Sequence, residues 1–107
     1  MTAAPDAMVV STTTASLVAA EALAGRLLEA RLAACVQITP VTSLYAWDGE
    51  ITRQSEALLT IKTRASLFAA LEAAIRDGHA YAVPEILAVP ATCVSADYLA
   101  WLTDATG

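Results

Sequence analysis

The spacing of apolar and polar residues changes period several times along the chain, and its longest regular stretch is a pair of β-like runs. From Ala33 to Thr63 (AACVQITPVTSLYAWDGEITRQSEALLTIKT), β-branched and aromatic residues recur through Val36, Ile38, Val41, Thr42, Tyr45 and Trp47, then through Ile51, Thr52, Thr60 and Ile61. Asp48-Gly49 separates the runs. A type I′ turn needs φ > 0 at both central positions, which Asp and Gly meet at low steric cost, so the pattern predicts a long hairpin. Each arm exceeds the usual strand of about 5–6 residues. Such a pair overhangs a small sheet and leaves backbone groups, Tyr45 and Trp47 in need of cover, which predicts association with other subunits. Pro40 cannot donate to a ladder and predicts an edge or a bulge, with a bend in the first arm.

The remaining elements follow from shorter patterns. Ala7 to Thr12 predicts a first strand, and Thr12, Thr13 and Thr14 offer hydroxyls to cap the helix that follows. In that helix Ala20, Leu23, Ala24, Leu27 and Leu28 form one apolar face, ending near Arg31. A second stripe through Leu67, Phe68, Leu71, Ala74 and Ile75 stops at Gly78, with Glu72 and Arg76 paired on the outer side. VPEILAVP, Val83 to Pro90, predicts a short edge strand. Ser95 caps a last helix laying Tyr98, Leu99, Trp101 and Leu102 on the sheet. The order β, α, β-hairpin, α, β and a short C-terminal helix predicts an α+β, ferredoxin-like split βαβ sandwich with a four-stranded antiparallel sheet. Residues 1–6 are expected to be a disordered tail and residues 7–107 a single domain. Ala34, Val36 and Ile38 alternate with Cys35, Gln37 and Thr39, so one sheet face meets the helices and the other needs water or another subunit.

Composition sharpens the second expectation. Hydrophobic residues make up 57% of the 107 and charged residues only 16%, little polar surface for a monomer. A net charge of −5 with six scattered basic residues argues against a nucleic-acid partner. Glu21, Arg26, Glu29 and Arg31 interrupt the Ala/Leu-rich stretch that would otherwise suggest a membrane span. The opening MTAAPDAMVV has neither the basic start nor the apolar core of a secretory signal, which predicts a cytoplasmic protein. Cys35 and Cys93 match no CxxC or zinc-ribbon spacing, and a disulfide between them is left open.

Candidate chemistry is sparse. There is one histidine, no G-x-S-x-G elbow and no glycine-rich phosphate loop, so the residues do not predict an enzyme. Cys35, His79 and Glu85 are side chains that ligate soft or borderline ions, but each has an ordinary alternative. Cys35 fits a small buried hydrophobe, and His79 fits a partner for a carbonyl at the helix end. Glu85, between Pro84 and Ile86, requires a partner of some kind. Tyr45 and Trp47 suit an interface or a small-ligand pocket.

The stretches RLAACVQITPVTSLYAWDGEI, SEALLTIKTRASLF, HAYAVPEILAVP and DYLAWL, in that order, resemble the CutA family of divalent-cation-tolerance proteins. The resemblance implies a homotrimer with hairpins reaching across neighbouring subunits, similar to the trimer of the PII signalling proteins, and three long β pairings acting with a buried sheet face predict resistance to heat. It also implies a cytoplasmic role in tolerance of copper or another divalent cation, with no metal required for folding. Position by position, it places the family's metal-linked residues at Cys35, His79 and Glu85. Ala80 and Ala82 depart from the family's HPYEVPE, and Gln37 stands where an asparagine is usual. Two functions are thus expected: direct metal binding by Cys35, His79 and Glu85 if the trimer gathers them, or binding of a small effector or protein in an intersubunit cleft lined by Tyr45, Trp47, Lys62 and Glu85.

Overall fold

Asp48 and Gly49, with φ of 51° and 78°, form the tight turn of a hairpin whose arms run continuously paired from Cys35↔Lys62 to Trp47↔Glu50. The computed structural model describes residues 4–107. In chain order it contains β1 (Met8–Thr14), α1 (Leu17–Glu29), β2 (Cys35–Trp47), β3 (Glu50–Thr63), a short 3₁₀ turn (Ala65–Leu67), α2 (Phe68–Asp77), β4 (Leu87–Pro90) and α3 (Ala96–Ala105). The sheet order is β2-β3-β1-β4, antiparallel throughout, which is the ferredoxin-like arrangement.

One face of the sheet carries the core. Val10, Ala57, Leu59 and Ile61 pack against Leu23 and Leu27 of α1 and Leu71 and Ile75 of α2. The alternation read in β2 puts Val36 and Ile38 on this face as well. Pro40 sits in the ladder opposite Ala57 with no slip in register on either side. Of the two places expected for Pro40, the edge is the one observed and a bulge is absent: β2 is an edge strand, where a missing N–H need not interrupt pairing.

Several boundaries differ from expectation for local reasons. Thr12, Thr13 and Thr14 lie in β1, and the cap of α1 is Ser16, whose Oγ accepts from Ala19 N–H at 3.1 Å. The helix closes with Leu32 N–H donating to Leu27 O and Arg31 N–H to Leu28 O, a Schellman motif with Arg31 at φ 59° where glycine is usual. That backbone turn aims the guanidinium at the end of α3, where it donates to Gly107 O and Asp104 O at 2.6 and 2.7 Å. Ser95 precedes α3 without a side-chain cap bond, and only Leu102 of the expected apolar set is buried; Tyr98 and Trp101 stay exposed. β4 begins at Leu87, so residues 79–86 form a loop in place of the first half of the expected strand. Residues 1–3 of the expected tail lie outside the described residues. Asp6, at its other end, accepts from Ser66 Oγ and N–H at 2.7 and 2.8 Å, bonds that hold its carboxyl below the usual carboxylate range.

β1 pairs with β3 only from Ala57 to Thr63, so the other half of β3, Glu50 to Glu56, pairs with β2 alone. The overhang stretches the chain to 47 Å along its longest axis and raises the radius of gyration to 14.7 Å, against ~13 Å for a compact chain of this length. Leu44, Trp47 and Ile51 are exposed on it.

Candidate functional site

The overhang and the 79–85 loop together wall an open cleft of about 900 Å³ lined by Tyr45, Trp47, Glu56, Tyr81, Pro84 and Glu85, among others. Its polar groups form a chain. Tyr45 Oη donates to Gln54 Oε1 at 2.6 Å, Gln54 Nε2 donates to Tyr81 Oη at 3.1 Å, and Tyr81 Oη donates to Glu56 Oε2 at 2.8 Å. Strand geometry explains the assembly. Gln54 and Glu56 are two residues apart on β3 and share the face opposite Ala57, Leu59 and Ile61, while Tyr45, paired with Thr52, is a diagonal neighbour of Gln54 on that same face.

His79 anchors the loop. Its Nδ1 accepts from Tyr81 N–H at 3.0 Å, so that nitrogen carries the lone pair; Nε2 carries the hydrogen and donates to Thr13 O at 2.6 Å. The imidazole also meets the Tyr81 ring at 4.8 Å between centroids. Both ring nitrogens are committed to positioning the loop, and neither is free to ligate.

Burial, together with the bond and negative charge from Glu56, pushes the Tyr81 phenol up to about 12. Because the folded value lies above the ordinary one near 10, the resulting stability is present below pH ~10 and is lost as pH rises through about 12. Phenolate absorbance should show a late tyrosine ionisation, near pH about 12, that is missing in Tyr81→Phe. In Glu56→Gln the late ionisation should move to lower pH; an unchanged titration in that variant would remove the Tyr81–Glu56 bond from the solution structure.

The six residues singled out from the sequence fall in two separate places. Tyr45, Trp47 and Glu85 line the cleft just described, with His79 holding its loop. Cys35 and Lys62, paired in register, instead line a second cleft of about 660 Å³ near the opposite end of the sheet, together with Val9, Cys93, Tyr98 and Leu102. There Lys62 Nζ donates to Gln37 Oε1. Lys62 and Glu56 are six positions apart on one strand, a separation of ~20 Å, so within one chain Lys62 lies apart from Tyr45, Trp47 and Glu85; the expected cleft with all four was one between subunits. Cys35, His79 and Glu85 do not converge within one subunit. Among the described residues no three His, Cys, Asp or Glu side chains are grouped to hold a metal ion. Both cysteines are free thiols.

Gln54, Glu56 and Tyr81 are the residues that sequence reasoning passed over. The signal for the first two was available: the period-two alternation read in the first arm, carried over to β3, aligns Gln54 and Glu56 on the face opposite Ala57, Leu59 and Ile61. Tyr81 carried no comparable signal, because its place follows from the His79 bonds that fix the loop.

No described helix is long and apolar enough to cross a membrane. Residues 8–105 match the CutA1 divalent ion tolerance protein family. The divalent-cation tolerance protein CutA of Thermus thermophilus is 44% identical over 89 residues, covering 82% of this chain and 86% of that protein. The chloroplastic protein CutA of Arabidopsis thaliana is 42% identical over 92% of this chain, which spans only 55% of the plant protein. Among solved structures, the periplasmic divalent cation tolerance protein CutA from Archaeoglobus fulgidus superposes with a TM-score of 0.93 at 35% identity, covering 94% of this chain and 99% of that one. With its fold, residue pattern and almost its whole length matched in this way, the chain belongs to the CutA1 divalent ion tolerance family.

Proposed function

We propose that this protein serves divalent-cation tolerance as a non-catalytic, cytoplasmic homotrimer that binds a small effector in the cleft between hairpin and loop, in the manner of PII-like signalling trimers. The observation that carries the reading is the hydrogen-bonded chain Tyr45–Gln54–Tyr81–Glu56, which holds aromatic and polar groups in fixed positions around an open cleft. A pre-organised lining of this kind lowers the ordering cost of binding. Trimerisation is supported by the half of β3 left without a second neighbour and by the exposed Leu44, Trp47 and Ile51, features that association would cover.

A second reading, direct copper binding, is favoured by one arrangement: Cys35 and Cys93 line the same cleft, and thiolates suit Cu(I). His79 of the same chain lies at the other cleft, so it could take part only from another copy and only by giving up its bond to Tyr81.

Native mass spectrometry of protein from cells grown with and without added copper tests both readings. The expected result is three chains with a small-molecule adduct. A single chain would overturn the trimer. Copper retained by the parent and absent from Cys35→Ser would favour the second reading over the first.

A further inference from the structure

We infer that α3 is a latch, held closed at its C-terminal end by Arg31 and Arg64, that opens as a unit while the sheet, α1 and α2 stay folded. The two arginines leave the body of the protein at neighbouring junctions. Arg31 follows α1 and Arg64 follows β3; the junctions are tied together by Ala34 N–H donating to Lys62 O at 2.9 Å and Thr63 Oγ1 donating to Leu32 O at 2.7 Å. Both guanidiniums therefore stand on one platform. From it Arg31 donates to Asp104 O and Gly107 O at 2.7 and 2.6 Å. Arg64 donates through Nε to Thr106 Oγ1 at 2.8 Å and through Nη2 to Thr106 O at 2.6 Å. These charge-assisted bonds converge on the end of α3, where the free carbonyls of a helix favour positive charge.

Apolar packing holds α3 less firmly. Leu102 is the buried residue of this helix, and the buried members of its cluster, Ala7, Ala34 and Leu102, are separate from the core that joins α1 and α2 to the sheet. Two alanines and a leucine bury little area, and a unit with few buried apolar contacts opens at lower free energy than the core it rests on. The other end is held by less, since Ser95 makes no side-chain cap bond. Arg31 sits in left-handed backbone at φ 59°, costly for a side chain with a Cβ, and that conformation is what aims its guanidinium at α3. Each of these contacts lies within one chain and stands whether or not other copies pack beside it. The 660 Å³ cleft is lined by Tyr98 and Leu102 of α3 and by Val9, Cys35 and Lys62 of the sheet, so opening takes the α3 part of that lining away from the thiol and the amine.

Hydrogen–deuterium exchange of the full chain, read by mass spectrometry, tests the latch in the parent, Arg31→Gly, Arg64→Lys and the double variant, with the assembled mass measured at the same concentration. Glycine suits the φ of 59° at this position, so Arg31→Gly removes the guanidinium and keeps the junction between α1 and β2. Lysine keeps the charge of Arg64 without its forked geometry. Amides of α3 should exchange several-fold faster in each single variant and about tenfold or more faster in the double variant, with those of α1 and β3 unchanged. Unchanged α3 exchange in Arg31→Gly and in the double variant would overturn the latch. Equal acceleration through α1, β3 and α3 would overturn it too, because α3 would then open only when the whole chain unfolds. Faster α3 exchange accompanied by a lower assembled mass would do the same, since the protection would have come from neighbouring copies.

Discussion

Replacing Leu59 by alanine should cost about 2–5 kcal/mol of unfolding free energy, the largest loss expected from any single truncation on the hairpin. Leu59 is fully buried near the middle of β3, between Ile38 on one side and Thr12 on the other. Above it stand Leu23, Leu27, Leu71 and Ile75 of the two helices. Strands and helices converge there from four directions, so the surroundings cannot collapse into the vacated space without moving a whole element. Leu44→Ala on the other arm is the control. At 66% exposure it has little to lose inside the subunit, so any drop it shows reports on association with other copies. Denaturant unfolding should be run at one fixed protein concentration, since any association of copies would stabilise the folded state by mass action. A loss for Leu59→Ala below about 1 kcal/mol would mean that the sheet–helix interface is looser than the packing indicates.

The same strand explains why the fold was legible in the sequence and the site only in part. Hairpin, register and core face depend on local rules: Asp48-Gly49 for the turn, alternation for the face, and apolar periodicity for α1 and α2. These rules operate over a few residues and were sufficient. Thr12, Thr13 and Thr14 show where they mislead. Hydroxyl residues ahead of a helix suit capping, but Thr is also a good strand residue, and the ladder with β3 continues to Thr14↔Ala57 before Ser16 takes the cap. Pro40 likewise offered two outcomes, and the edge position of β2 in the sheet, a non-local fact, selected one.

For the site, residue types were readable and their meeting places were not. Tyr45, Trp47 and Glu85 do share a cleft, although they come from a hairpin tip and a loop some forty positions apart. Lys62 shares their face of the sheet but lies about six residues along β3 from them, so within one chain it does not reach them, and the expected cleft between subunits would need Lys62 from another copy. His79 has the chemistry of a ligand, yet its bonds to Thr13 and Tyr81 make it a positioning residue that pins the loop carrying Tyr81 and Glu85 against the end of β1. Removing it is therefore a change to the cleft, whatever the cleft binds.

Thr12→Val, in contrast to most core substitutions, should stabilise the protein by about 1–3 kcal/mol. Thr12 is completely buried on the core face of β1, opposite Leu59, and its Oγ1 has no hydrogen-bond partner among the described residues. Folding strips water from that hydroxyl and returns nothing, a desolvation cost that a methyl group of nearly the same size does not incur. Both side chains are β-branched, so strand preference and the χ1 restriction are essentially unchanged. The neighbouring hydroxyls make the contrast: Thr14 Oγ1 donates to Ser16 O at 2.8 Å, and Thr63 Oγ1 to Leu32 O at 2.7 Å. Valine at either of those positions should destabilise, since a backbone carbonyl would lose its donor. Thermal unfolding of the three variants at one concentration should therefore give a higher Tm for Thr12→Val and lower values for Thr14→Val and Thr63→Val. A lower Tm for Thr12→Val would mean that its hydroxyl is bonded in solution, and the polar group at the centre of this core would then be holding the sheet together instead of weakening it.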